Sequence, residues 1–283
     1  MNYDEQHRKH LIDYLQQIER LFYQWVGFSV SLALKTDFQD LVTSTLFAFA
    51  ATKKGKVFNK ELANFSNQLD QIIKQGITKE WAFANLKQDH LLREGLTKYQ
   101  NLEALEAFKV RKIKDFTVSN RVWDIAKKAQ SEIELALSVS LEEGKSAVQL
   151  SREVRNLLNN PTALFRRVRD KYGNLVLSKN AQNYHPGQGV YRSAYKNALR
   201  LASNEINVAY KSADWLRIQQ NPDVVGFEVR LSPQHKVYDV CDELKGKYPK
   251  SFHFHGWHVG CKCHIVTILK TDEELIKELK ADE

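Results

Sequence analysis

Between His235 and His264 the chain carries all three of its cysteines and five of its nine histidines. Thiolate sulfur and imidazole nitrogen are the ligands of tetrahedral zinc, at about 2.0–2.3 Å from the metal. The spacing His258-x-x-Cys261-x-Cys263 forms one compact knuckle, and Cys241 supplies a distant fourth ligand. The same residues are compatible with three separate buried thiols, or with one disulfide and a cysteine left over. The odd cysteine count and the absence of a secretion signal argue against the disulfide. A closed site of three cysteines and one histidine leaves no position for water, and such sites are structural. His235, Asp239, Asp242 and His255 lie close by in sequence. They can orient the ligands through hydrogen bonds, or serve a hydrolytic metal instead.

A second chemical signal is charge. The formal net charge is +8, and residues 145–217 hold 13 Lys or Arg against 4 Asp or Glu. That surplus suits a polyanion, an acidic protein surface or merely a solvated face. Arg166, Arg167, Arg169, Lys171, Lys179 and Arg192 interleave with Phe165, Tyr172 and Tyr184 around a Tyr-Gly-Asn turn and a Pro/Gly loop. Such a mixture fits contact with a phosphate backbone or an acidic partner, although no nucleic-acid-binding motif accompanies it.

These groups must be held by a scaffold that the periodicity predicts to be mainly helical. Leu11, Leu15, Ile18, Phe22 and Trp25 recur at spacings of three and four, one seam of a first helix over 5–26. Phe38, Leu41, Leu46 and Phe49 suggest a second helix. Asn59 caps a third, with the stripe Leu62, Phe65, Leu69 and Ile72 and a stop at Gly76. A fourth runs from Thr78 to about Gly95, and a fifth starts near Leu102. A longer helix follows from Ser119 with Val122, Ile125, Ala129, Ile133 and Leu137 in phase, then a shorter one between Gly144 and Pro161. Short runs around Tyr172-Gly173-Asn174 predict a hairpin.

Residues 190–220 return to helix, with Ala194, Ala198, Leu201, Ala209, Ala213 and Leu216 sharing a face. Glu205 sits in the middle of that face, and a buried carboxylate needs donors or a cation. Val224–Leu231 and Cys263–Leu269 read as strands, with the Cys/His stretch between them. Two strands alone are marginal, so a metal closing their connection is the simplest arrangement. The tail from Asp272 is a short charged helix.

The longest apolar run, Leu41 to Ala51, is too short to span a bilayer, so no membrane partner is expected. The charged N-terminus lacks a signal-peptide core, and folding in a cytoplasm is expected.

Four blocks in order, GKSAVQLSREVRNLL, RSAYKNALRLASNEINVAYKSADW, HKVYDVCDELKGKYP and GWHVGCKC, resemble the phage Mu F-like head morphogenesis proteins. The likeness covers roughly 119–270 and is greatest to minor head proteins of phages and prophages of Bacteroidetes. It implies a virion protein of the phage head, made in the bacterial host. Portal and other head proteins would be its partners, it would act in head assembly or in packaging and delivery of double-stranded DNA, and no enzymatic activity is implied. Two positions depart from the family pattern. Ser203-Asn204-Glu205 replaces Arg-Thr-Glu, and His258-Val259 replaces His-Pro. Loss of that arginine leaves Asn204, Arg192, Arg230 or the metal module as candidate partners for Glu205.

The expected architecture is therefore an N-terminal helical bundle over 1–117, followed by a smaller C-terminal α+β module over 118–283. A zinc-clamped β-hairpin would sit in that module, with its Cys/His knuckle at 235–264 and zinc as a structural cofactor. The alternative function is a metal-dependent nuclease or hydrolase using the Cys/His/Asp cluster.

Overall fold

A computed structural model describes residues 2–35, 47–92, 100–142, 149, 167–177 and 193–279. It is mainly helical, with helices first and a small three-stranded antiparallel sheet near the C-terminus. The helices are α1 (Tyr3–Leu34), α2 (Gly55–Leu92), α3 (Leu102–Val110), α4 (Val118–Glu142) and α5 (Ala194–Gln220). Strands β1 (Arg167–Arg169) and β2 (Leu175–Leu177) form the expected hairpin, with Val168 opposite Val176. The C-terminal part holds β3 (Val224–Arg230), α6 (Val240–Leu244), β4 (Gly246–Pro249), β5 (His264–Leu269) and α7 (Asp272–Leu279). None of the described helices is long and apolar enough to cross a membrane. Of the expected helix between Gly144 and Pro161 only Gln149 is described, and of the four residues that suggest the second expected helix only Phe49, which opens a single 3-10 turn.

The chain divides into two compact units, and neither is one continuous segment. The first comprises Met1–Tyr14, Ile73–Arg111 and Leu201–Glu283; the second comprises Leu15–Ile72 and Lys112–Arg200. This differs from a linear boundary at 117/118, because α1, α2 and α5 each contribute to both units.

In the second unit most residues of the predicted seams are core, while Leu15 and Ile72 are only half-buried. Ile18, Phe22 and Trp25 of α1 are buried, as are Leu62, Phe65 and Leu69 of α2 and Val122, Ile133 and Leu137 of α4. Phe22 meets Phe65 edge-on at 5.0 Å, and Trp25 stacks on the same ring at 5.1 Å. The 3.6-residue repeat of each helix aligns these side chains on one stripe.

The third and fourth expected helices are one. Gly76, which reads locally as a stop, lies within α2, where a Cβ would come 2.5 Å from Ile206 Cδ1. It is a packing glycine: its missing side chain lets α5 approach. Thr78, which reads as an opening cap, instead donates its hydroxyl back to the Lys74 carbonyl at 2.9 Å, a bond available only inside a continuous helix.

In the first unit the sheet order is β4-β3-β5. Strands β3 and β5 pair from Val224↔Leu269 to Arg230↔His264, as the alternation predicts. Strand β4 has no counterpart in the sequence pattern. It comes from the connection itself and pairs with β3 through Phe227↔Tyr248. Beneath this sheet Phe227, Val229 and Ile265 pack with Phe254, Ile218 and all three cysteines in one buried cluster. Because Arg230 and His264 are the last pair, the connection leaves and re-enters the sheet at one end, and the Cys/His residues gather there.

Candidate metal centre

Cys241 is presented by α6, a helix of five residues whose start is shaped by side chains. Asp239 caps it, accepting the Cys241 backbone N–H at 2.7 Å. Asp242 completes a capping box by accepting the Asp239 N–H at 3.0 Å. His235 donates to Asp242 at 2.7 Å. The three residues His235, Asp239 and Asp242 thus form a tight group of their own, able in its ligand types to hold a metal ion, while their hydrogen bonds fix the turn that carries Cys241. Both carboxyls are held below the ordinary range, Asp239 by the Cys241 backbone N–H and Asp242 by the Asp239 N–H and then His235.

The second arm is the 256–263 turn. Gly256 and Gly260 take positive φ of 115° and 80°, and the chain curls so that Cys261 N–H donates to the His258 carbonyl at 3.0 Å. His258 Nδ1 donates to the Val259 carbonyl at 3.0 Å, which leaves Nε2 as the atom able to face a metal ion. That Nε2 lies 3.2 Å from Cys241 Sγ and 3.3 Å from an Asp239 carboxylate oxygen. Cys241 and Cys261 sulfurs are 3.7 Å apart.

Cys241, His258 and Cys261 therefore form a group that could hold a metal ion. Cys263 adjoins it from the sulfur side. Its sulfur interacts with those of Cys261 and Cys241, although it is not among the three atoms that lie mutually closest. His255, by contrast, is exposed and faces His253 at a ring distance of 5.4 Å, outside both metal-capable groups.

The sulfur electrostatics follow from this packing. Donation from Cys263, aided by the Lys211 ammonium, holds the Cys261 thiol down to about 4. Burial pushes Cys241 up to about 12, and Cys263 is driven up by its role as donor to Cys261.

Helix α5 holds the knuckle from below through residues that the sequence pattern does not single out. Asn207 Nδ2 and Lys211 Nζ both donate to the Cys261 carbonyl at 2.7 Å. Asn207 Oδ1 then faces His7 Nε2 at 3.2 Å, and His7 Nδ1 lies 2.6 Å from the buried carboxylate of Glu80, which His10 also meets at 2.9 Å. Farther along α5, Asp214 pairs with Lys87 at 2.7 Å and Arg217 with Asp89 at 2.5 Å, all buried. Polar side chains at these positions imitate a solvated stripe in one-dimensional sequence, so only the fold reveals their burial.

Glu205 is fully buried, as its place in the alanine face predicts. One partner is a residue outside the candidates read from the sequence, of which Arg192 lies outside the described residues. Arg111, ninety-four residues earlier and just past α3, donates to it at 2.6 Å. The guanidinium that the local pattern lacks is supplied from another segment, and Arg111 is fixed there by the Phe108 carbonyl at 2.8 Å and the Phe108 ring.

Of the basic candidates, Arg166, Lys179 and Arg192 lie outside the described residues. Arg167 belongs to β1. Arg169 and Lys171 are exposed on the hairpin, Arg169 donating to the Gly173 carbonyl at 2.7 Å and Lys171 lying 4.9 Å over the Tyr172 ring. Compared with known proteins, the chain matches no family model, no curated protein and no solved structure.

Proposed function

We propose that the protein is a phage minor head protein whose C-terminal module is closed by a structural zinc ion, and that it acts in head assembly and portal-associated DNA packaging or delivery. The observation that carries this reading is the meeting of Cys241 with His258 and Cys261. These residues come from two separate sequence blocks that resemble the Mu F-like proteins, and a third such block, in α5, grips the Cys261 carbonyl. For zinc bonded to sulfur at about 2.3 Å and to nitrogen at about 2.0 Å, tetrahedral geometry requires S···S near ~3.8 Å and S···N near ~3.5 Å. The 3.7 and 3.2 Å separations lie close to those edges. Cys263, whose sulfur lies outside that mutually close set of three, is the fourth ligand in this reading, and the metal holds shut a connection that a three-stranded sheet alone leaves long. The hairpin carrying Arg167, Arg169 and Lys171 supplies sequence-independent contact with DNA.

The grouping of His235, Asp239 and Asp242 favours a second reading, a metal-dependent hydrolase with an open coordination position. Metal analysis separates the two: four protein ligands and no DNA cleavage support the structural role, three ligands plus water and cleavage overturn it. The phage role is tested by affinity capture from infected or induced host cells. Recovery with portal protein and packaged particles supports it, and recovery free of both removes it.

A further inference from the structure

We infer that Lys211 is the counter-ion of a three-thiolate metal centre, with Cys263 as the third thiolate. This inference rests on the zinc reading above and deepens it. Lys211 is buried on α5 at 3% exposure. Its ammonium donates to the Cys261 carbonyl at 2.7 Å and lies 5.4 Å over the Phe254 ring. Among the described residues no carboxylate forms an ion pair with it; burial pulls its pKa below the ordinary lysine value, and the groups that oppose that shift are Cys261, Cys263 and Cys241. The turn is shaped around this ammonium, since a Cβ at Gly256 would lie 3.3 Å from Lys211 Nζ and 3.3 Å from Cys261 Cβ.

A buried cation without a counter-charge is strongly unfavourable, so the charge of the neighbouring centre decides which ligand set is compatible with it. A divalent metal with two thiolates, a neutral imidazole and water is neutral, which leaves the ammonium uncompensated. With three thiolates and the imidazole the centre carries one negative charge, and Lys211 brings the assembly to zero. The lysine therefore selects the closed, water-free set Cys241, Cys261, Cys263 and His258 over the open one. Its bond to the Cys261 carbonyl holds the ammonium beside the sulfurs and fixes the turn as well.

The test uses the full chain loaded with zinc or cobalt(II), with metal affinity measured by competition against a chromophoric chelator. Lys211→Met is expected to weaken zinc binding roughly 10- to 100-fold while leaving the tetrahedral cobalt bands in place, because the ligands are unchanged. Cys263→His replaces a thiolate by a neutral ligand, and in that background Lys211→Met should have little effect, a non-additivity that a purely packing role for the lysine does not produce. If Cys263→His fails to fold, the sulfur-to-cobalt charge-transfer intensity of the unaltered protein decides instead: three thiolates support the inference, two overturn it. Unchanged zinc affinity in folded Lys211→Met overturns it too. Failure of the unaltered protein to bind one equivalent of metal is a different outcome, which removes the zinc reading itself.

Discussion

Removing either member of the Arg111–Glu205 pair should destabilise the protein by unequal amounts, and the inequality follows from burial. The Glu205 side chain is 0% exposed, and that of Arg111 is 24% exposed. Glu205→Gln keeps an oxygen that accepts from Arg111 but loses the charge assistance, a cost of about 1 kcal/mol. Glu205→Leu removes the acceptor. Arg111 then retains the Phe108 carbonyl, its stacking on Phe108 and some access to water, so the cost is held to about 1–3 kcal/mol. Arg111→Ala strips the guanidinium from a carboxylate that cannot reach solvent, the situation that costs about 3–5 kcal/mol. Replacing both residues by apolar ones, Arg111→Met with Glu205→Leu, should recover much of the loss. Thermal melts read the series at roughly 2–4 °C per kcal/mol for a chain approaching this size. The order Arg111→Ala, then Glu205→Leu, then Glu205→Gln is expected, with no DNA cleavage altered in any of them. An Arg111→Ala variant no less stable than Glu205→Leu would refute the burial argument. A Glu205→Gln variant of full stability without a cleavage activity that the unaltered protein possesses would overturn the structural role altogether.

Other outcomes follow from particular side chains. Gly76→Ala should be destabilising despite the helix preference for alanine of about 1 kcal/mol, because overpacking against Ile206 costs roughly 1–3 kcal/mol; adding Ile206→Val should restore part of the stability in a denaturant melt. In the β1–β2 turn, Asp170 is held below the ordinary carboxylate range by the Asn174 backbone N–H and then that of Tyr172. Its contribution is present above the unfolded carboxylate value and disappears as pH falls through the depressed folded one, so the Tyr172 and Asn174 amide NMR signals should shift with a midpoint below about 3.9; a midpoint at or above that value contradicts the turn. Changing Arg167, Arg169 and Lys171 together to alanine should weaken binding to unrelated DNA duplexes equally and lower the log–log salt slope by about 0.9 for each phosphate no longer neutralised. A slope identical to that of the unaltered protein would exclude the hairpin from the DNA interface.

What can be read from the sequence is whatever depends on near neighbours along the chain. The seam Ile18, Phe22, Trp25 and the stripe Leu62, Phe65, Leu69 announce helices because a 3.6-residue repeat is a local property, and both are buried as expected. The hairpin around Gly173, the pairing of β3 with β5 and the closeness of His258 to Cys261 are legible for the same reason, as each is set by a short loop or an alternation. Tertiary structure decides what depends on distant partners. Gly76 signals a stop locally, yet it continues a helix because Ile206 needs its space. Strand β4 exists because β3 offers an edge, since Gly246-Lys247-Tyr248-Pro249 has little strand character of its own. Arg111 and Glu205 pair across ninety-four residues, and Asn207 and Lys211 reach Cys261 across fifty or more. A lysine or arginine on a helix has the same local signature whether it faces water or a buried anion. Its environment is set by packing, and packing has no representation in the spacing of residues along one chain.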